Sequence, residues 1–310
     1  MSHRNISTML DISTNYFVRY VYPRMSNGGE GTYKSHKEIR MLTIPFHHIY
    51  GFLLLNAALV NGTSGIIMKE FQATLLLETI QKRKPTVLCM MAPMLLFLQD
   101  RPAELYDLSS VEVVVIGGSP YVKNVLEAFL EKFKRVRYLI PIYGWPECGT
   151  AFMSPMTQRY GAATILPNFK QKLVCPKTGE AVGFGKEGEI CLQSPTIMKG
   201  YLNNPEETAK AIDSEGWFHT GEIGILDHSG QTTVVEHVEE LIRVDGKLVA
   251  SSEIEDVLMS HEDVVDAGVV GVPDTQTGEK PRAYVVTRNA RLSKSEVEKF
   301  VFGTVFSIYL

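Results

Sequence analysis

The chain has 310 residues, of which 45% are hydrophobic and 21% charged, with 31 basic against 35 acidic side chains and a net charge of -4. That is the make-up of a soluble globular protein long enough for two domains, and its charge balance argues against nucleic acid or an anionic membrane as partner. The four cysteines, Cys89, Cys148, Cys175 and Cys191, are scattered with no CxxC pair and no histidine cluster beside them in sequence, which argues against a disulfide framework or a zinc site and fits a reducing compartment.

The first residues, Met1-Ser2-His3-Arg4-Asn5, are polar and lack a signal-peptide hydrophobic region. The longest apolar stretch, Ile49 to Val60, contains Gly51 and Asn56. It falls short of the roughly 20 residues that span a bilayer, so it reads as a buried helix and no transmembrane segment is expected. Ser64 to Lys69 is a short β-rich run, Leu75 to Lys84 a helix stopped by Pro85, and Thr86 to Met90 a strand. Val111 to Ile116, with three consecutive valines, reads as a buried strand that Gly117-Gly118-Ser119-Pro120 breaks. Val125, Leu126, Phe129, Leu130 and Phe133 follow at helical spacing. Val136 to Ile142 is a further strand, and Tyr143-Gly144 the loop after it. Alternation of this kind predicts a largely parallel sheet covered by helices, with ligands at the carboxyl ends of the strands.

From about 160 to 235, strand-like pieces (Gln171 to Val174, Glu189 to Gln193, Gly224 to Leu226, Thr232 to Val235) are separated by Gly, Pro and Asn turns, which suits a small β-barrel. Within this region, Gly216-Trp217-Phe218-His219-Thr220-Gly221-Glu222-Ile223-Gly224 packs two aromatics, a hydroxyl, a carboxylate and glycines into nine residues. That density suits a loop wrapped around a small polar ligand, because glycine allows close backbone approach and Thr220 and Glu222 bind hydroxyls or phosphate oxygens. Residues 236 to 310 read as a separate α+β unit. Ser252-Glu253-Ile254-Glu255 and Ser293-Lys294-Ser295-Glu296 look like capping boxes opening two helices, and Val264 to Val270 and Arg282 to Thr287 like strands.

Several blocks together resemble the adenylate-forming superfamily, in its branch of acyl-CoA synthetases, 4-coumarate–CoA ligases and luciferases. Pro45-Phe46-His47-His48-Ile49-Tyr50-Gly51 resembles PFFHxYG, and Asp107-Leu108-Ser109-Ser110 leading into Gly117-Gly118-Ser119-Pro120 is similar to DLSSL…GAAPL. Tyr143-Gly144-Trp145-Pro146-Glu147 resembles YGxTE, and Gly188-Glu189-Ile190 through Met198-Lys199-Gly200-Tyr201-Leu202-Asn203-Asn204-Pro205 resembles GEI…MKGYxNNP. Residues Gly216 to Gly224 resemble GWxxTGDxG, and Glu236 to Glu255 the hinge block DRxKELIKxxGxxVxPxEIE. Any block alone is weak (Gly117-Gly118 by itself is a βα turn), but these follow the family's order over nearly the whole chain.

The resemblance implies an α/β fold: a partial adenylate-forming large domain over 1–235, with an α/β sheet layer over 1–160 and a β-barrel-like part over 161–235, and then a truncated α+β C-terminal domain over 236–310. It implies a two-step reaction in which a carboxylic acid attacks ATP to give an acyl-adenylate, which coenzyme A thiol then attacks. By the same resemblance Gly117, Gly118, Ser119, Pro120, Tyr143 and Gly144 flank the adenine, Glu147 takes the magnesium position, Glu222 holds the ribose hydroxyls, His237 stands at a ribose-contacting position, and His48 lines the acyl pocket. Gly246 lies where the small domain meets the coenzyme A arm. ATP or AMP, Mg2+ and coenzyme A are the implied cofactors. A small-molecule carboxylic acid and a nucleotide are the implied partners, of aromatic or medium-to-long aliphatic kind for the acid. A cytoplasmic location is expected; relatives are often peroxisomal, but Ile308-Tyr309-Leu310 is not the usual terminal tripeptide.

The chain also departs from the family's pattern. The phosphate loop STGTTGxPKG, which normally precedes the segment resembled by Ser2-His3-Arg4-Asn5, and the terminal PxxxSGKxxR lysine segment have no counterpart. Pro146 stands where the pattern has a threonine, and proline donates no hydrogen bond. Ile142 replaces a glycine, Glu222 an aspartate, His237 an arginine, Ser251 a proline, and Glu239 and Asp245 replace lysines. These losses predict an acid–thiol ligase-like protein with impaired activity; the alternative is a non-catalytic relative that binds a nucleotide or a partner protein.

Overall fold

The computed structural model describes all residues except 26–36, 100–102, 119–122, 154–161, 238–240, 245–246, 275–276, 290 and 310. The chain divides into two compact units. The first comprises Met1–Lys172, Cys191–Thr220 and Asp227–Thr233, the second Leu173–Ile190, Gly221–Leu226 and Val234–Leu310.

The first unit opens with α1 (His3–Tyr16), capped by Ser2 in a reciprocal box with Asn5, then a π-helical turn over Phe17–Val21 and α2 (Tyr22–Met25). Strands and helices then alternate through β1 (Ile39–Leu42), α3 (Ile49–Asn61), β2 (Ser64–Ile67), α4 (Ala73–Arg83), β3 (Val87–Met90), α5 (Ala92–Gln99), β4 (Val113–Ile116), α6 (Lys123–Lys132) and β5 (Tyr138–Trp145). β1 pairs in parallel with β2 and β3, β3 with β4, and β4 with β5. This is the parallel sheet the alternating pattern predicts. Its fully buried strands β3 (Val-Leu-Cys-Met) and β4 (Val-Val-Val-Ile) read as unbroken apolar runs, the pattern of a parallel sheet covered by helices on its faces. On one face Leu76, Leu77 and Ile80 of α4, Leu95 of α5 and Leu126 and Phe129 of α6 pack on Leu88, Met90, Val114 and Ile116. Antiparallel pairing then takes over through β6 (Gly149–Met153) and β7 (Ala162–Ile165), the latter also pairing with Gln231–Thr233 at the start of β11 (Gln231–His237). The predicted strand pieces beyond 160 form β8 (Lys170–Val174), β9 (Glu187–Gln193), β10 (Phe218–Leu226) and β11, with α7 (Pro205–Ala211) between β9 and β10.

The second unit holds a four-stranded sheet in the order β13-β12-β15-β14, formed by β12 (Leu241–Val244), β13 (Lys247–Ala250), β14 (Val264–Asp274) and β15 (Gly278–Thr287). α8 (Ser251–Met259) and α9 (Lys294–Tyr309) complete it, with Ile254 and Leu258 packing on Ile242 and Val269, and Val297 and Val301 joining them.

The structure corrects several local expectations. Ile49 to Val60 is helical, but only Tyr50, Gly51, Leu54 and Ala58 are buried, while Leu59 and Val60 are exposed. Hydropathy counts apolar residues without saying which face they occupy. Ser252 does not cap α8: the N-cap is Ala250, which makes no side-chain cap bond, because β13 runs directly into the helix. Ser293 does form the second capping box, its Oγ 2.6 Å from Glu296 Oε2 and its N–H donating to the same oxygen at 2.8 Å.

Candidate active site

The carboxyl end of β4 carries the first cluster. All four β4 residues are buried, and the strand ends at Gly117, whose N–H donates to Met90 O at 3.2 Å. A Cβ on Gly117 would lie 2.6 Å from Ile142 Cγ1 and 2.8 Å from Ile142 O, so the glycine is what lets β4 and β5 close at this point. Gly118 has φ +78°, a left-handed conformation that non-glycine residues avoid. Its Cβ position faces His48 Cε1 at 3.5 Å and Tyr50 Cδ1 at 3.5 Å. The structure thus brings His48 to the glycine turn. His48 is also the N-cap of α3, its Nδ1 accepting from Tyr50 N at 3.2 Å. Ser119 and Pro120 lie outside the described residues, as does Gly246.

Tyr143 and Gly144 are not in a loop but inside β5, opposite Phe152 and Thr150 of β6, with a bulge between them. The strand continues because the reversal falls later, at Gly149, which takes φ +73°. A Cβ at Gly144 would lie 1.9 Å from Gly149 O, so this hairpin is closed by two facing glycines. Tyr143 is half-buried and stands edge-on to Trp145, with ring centroids 4.9 Å apart, and Trp145 in turn meets Phe152 and Phe218 at 6.3 Å each.

Glu147 sits in the turn between β5 and β6. Its Oε1 accepts the Tyr201 O–H at 2.9 Å, and its backbone carbonyl accepts Met198 N–H at 2.7 Å. Burial, and then Glu147, push the Tyr201 phenol up to about 12, so it remains a donor. Asn5 supports the same segment, its amide donating to Pro195 O at 2.8 Å and Ile197 O at 2.9 Å. The sequence does not single out Tyr201 as the support of Glu147 or Asn5 as the anchor of the 195–197 segment, because the partners lie far apart in the chain. It also placed no histidine beside a cysteine, whereas His219 Nδ1 is 3.5 Å from Cys191 Sγ.

In the second unit, Glu222 follows Gly221 within β10, so residues 218–224 of the expected loop are strand and only the turn before them is irregular. Gly221 has φ +74°, and a Cβ there would lie 2.8 Å from His237 Nε2. His237, at the end of β11, therefore packs over the residue next to Glu222. Glu189 Oε1 accepts Gly221 N–H at 3.2 Å, a role the sequence did not single out.

These residues can be tested against the implied groups. A flat base suits the exposed, Cβ-less Gly118 and the half-buried Tyr143 ring. A hard cation takes oxygen ligands, and Mg2+ is usually held by one or two carboxylates together with substrate phosphates; the half-buried Glu147 carboxylate in its turn meets that requirement. Both groups fit.

The AMP-binding enzyme pattern matches residues 1–202, and the AMP-binding enzyme C-terminal domain pattern matches 253–308. The chain is 37% identical over 269 residues to "4-coumarate--CoA ligase-like 2" of Arabidopsis thaliana, covering 84% of this chain and 47% of that protein. It is 36% identical over 310 residues to "Probable CoA ligase CCL5" of Humulus lupulus, covering 97% and 54%. Among solved structures, ATP-bound MatB of Rhodopseudomonas palustris superposes with a TM-score of 0.85 at 23% identity, covering 98% of this chain and 58% of that one. The chain spans about half the length of the curated relatives it matches.

Proposed function

The chain belongs to the AMP-binding enzyme family, and on that premise we propose that its first unit holds the nucleotide and acid of an acid–thiol ligase reaction. The observation that carries this reading is the Gly117-Gly118 turn at the carboxyl end of a parallel strand, flanked by His48, Tyr50 and Ile142, the place where open α/β sheets bind ligands.

In the reaction, a carboxylate oxygen attacks the α-phosphorus of ATP and the bond to pyrophosphate breaks, leaving an acyl-adenylate. A thiol sulfur then attacks the acyl carbon, AMP departs with the bonding electrons, and the thiol proton goes to solvent. The contribution of the protein is positioning and charge stabilisation. Glycine backbone and Tyr143 hold the base, Glu147 (tied by Tyr201 and Met198) would orient a magnesium ion when one is bound, and His48 faces the acid. When bound, Mg2+ supplies charge neutralisation for the phosphates.

Pro146, which carries no hydroxyl where the pattern has a threonine, supports reduced adenylation. Each lost charge-assisted hydrogen bond is worth about 1.5–3 kcal/mol. A second reading, a nucleotide-binding relative without turnover, is favoured by the same Pro146. Calorimetric titration with AMP, with and without Mg2+, tests the site: micromolar binding weakened at least tenfold by Tyr143→Ala is expected, and absence of binding overturns the proposal. Pyrophosphate release above background from ATP and acid separates the two readings, since it excludes the non-catalytic one.

A further inference from the structure

We propose that the cavity between α1, α3 and strands β1, β3 and β4 recognises the far end of a linear aliphatic acid bearing a neutral terminal hydroxyl, which the buried Arg40–Glu38 pair reads. This rests on the acid-activating proposal above and deepens it to a substrate class.

The cavity measures about 70 Å³ and is walled mainly by apolar groups, among them Leu54, Ala57, Val87, Val113, Val115 and Met153. One part of its lining is charged. Arg40 and Glu38 lie on β1 and just before it, with side chains only 9% and 4% exposed, and Arg40 Nη2 lies 2.6 Å from Glu38 Oε2. Arg40 Nε donates to the same oxygen at 2.8 Å, and Nη2 lies 3.5 Å from Tyr22 Oη. These bonds use Nε and Nη2; a guanidinium carries five donor hydrogens, and among the described residues no bond engages Nη1. A buried ion pair adds little stability over apolar residues of the same volume. An apolar pocket with a few convergent polar groups is, by contrast, the usual form of a small-molecule site.

Charge and size select the occupant. The pair sums to zero, so a second carboxylate would bring an uncompensated buried charge. A methyl end would leave the Arg40 donors unmatched. A hydroxyl accepts from Arg40 and donates to Glu38. Tyr22 stays protonated beside them, its phenol pushed up to about 12 by burial and then by Glu38. The volume is less than half that of the roughly 150 Å³ apolar cavity that admits benzene, so it takes a chain rather than a ring. Tyr50 and Ile142 line this cavity and also border Gly118 and Gly117, which sets the cavity against the turn where the carboxyl end would react.

The test is calorimetric titration of the whole chain with hexanoate, its terminal-hydroxy analogue, the matching dicarboxylate and cinnamate. The hydroxy acid should bind at least about tenfold tighter than hexanoate, which is about 1.4 kcal/mol, and neither the dicarboxylate nor cinnamate should gain over hexanoate. The double variant Glu38→Met/Arg40→Met removes both charges together, so neither is stranded; it should keep hexanoate binding and lose the preference. Arg40→Lys, which keeps the charge but not the planar fork, should reduce the preference and serves if the double variant does not fold. Equal binding of hexanoate and hydroxy acid, a gain by the dicarboxylate or cinnamate, a preference that survives the double variant, or no acid binding at all overturns the inference. A parallel AMP titration keeps the two proposals apart. AMP binding without hydroxyl preference overturns this inference alone, and hydroxyl preference without AMP binding overturns only the nucleotide reading.

Discussion

Replacing Gly117 by alanine isolates a single steric contact. Gly117 is absent from the residues with left-handed backbone, so alanine meets no conformational penalty there and the cost is packing alone. The new Cβ would lie 2.6 Å from Ile142 Cγ1, 3.4 Å from its Cδ1 and 2.8 Å from its carbonyl oxygen. Overpacking of this kind costs about 1–3 kcal/mol, and the reduced freedom of the unfolded chain returns about 0.4–1 kcal/mol. A net loss of about 1–2 kcal/mol is expected. Ile142→Ala alone, at a half-buried position, should cost about 1–2 kcal/mol, below the range for fully buried sites. In Gly117→Ala/Ile142→Ala the side-chain clash is gone and only the carbonyl contact remains. The double variant should therefore be about 1 kcal/mol more stable than the sum of the single losses predicts. Urea unfolding followed by tryptophan fluorescence measures this directly, since both tryptophans, Trp145 and Trp217, belong to the first unit. Additivity to within about 0.5 kcal/mol would refute the claim that Ile142 closes on Gly117.

Asn5→Ala removes two donated hydrogen bonds and strands the Pro195 and Ile197 carbonyls, so a loss of about 2–3 kcal/mol is expected in the same urea assay; a loss below about 0.5 kcal/mol sinks that reading. Ser293→Ala should cost about 1 kcal/mol and speed amide exchange in the first turn of α9. Alkaline titration followed by phenolate absorbance should show Tyr22 and Tyr201 ionising near 12 rather than 10. Because both phenols are raised, their contribution to stability is complete below about pH 10 and is lost as the pH climbs through 12. Tyr22→Phe and Tyr201→Phe should each delete one late-titrating group, and an unchanged curve above pH 11 counts against the assignment.

The alternating β and α segments were legible because β3 and β4 are short unbroken apolar runs and α6 repeats apolar residues at helical spacing. β1 was not: Glu38 and Arg40 make its neighbourhood look solvent-facing, and they are buried only because, two residues apart, they neutralise each other. The glycine motifs pointed to Gly117-Gly118 and Tyr143-Gly144 as candidates, but not to the backbone these residues adopt. Tyr143-Gly144 reads as a loop until the left-handed turn at Gly149 shows that the hairpin reverses later. Tyr201 and Glu189 escaped because hydrogen bonds to Glu147 and Gly221 depend on chain crossings that no local pattern encodes.

The Asn5 amide bonds have a consequence for synthesis. Their acceptors lie 190 and 192 residues downstream. At the roughly 5–20 residues per second of translation, α1 emerges on the order of 10–40 s before the carbonyls that complete its anchorage. Throughout that interval a side chain that ends up buried must find its partners in water. Slowing translation before codon 195 should therefore lengthen the time during which α1 of the nascent chain is open to proteases, while leaving the finished fold unchanged.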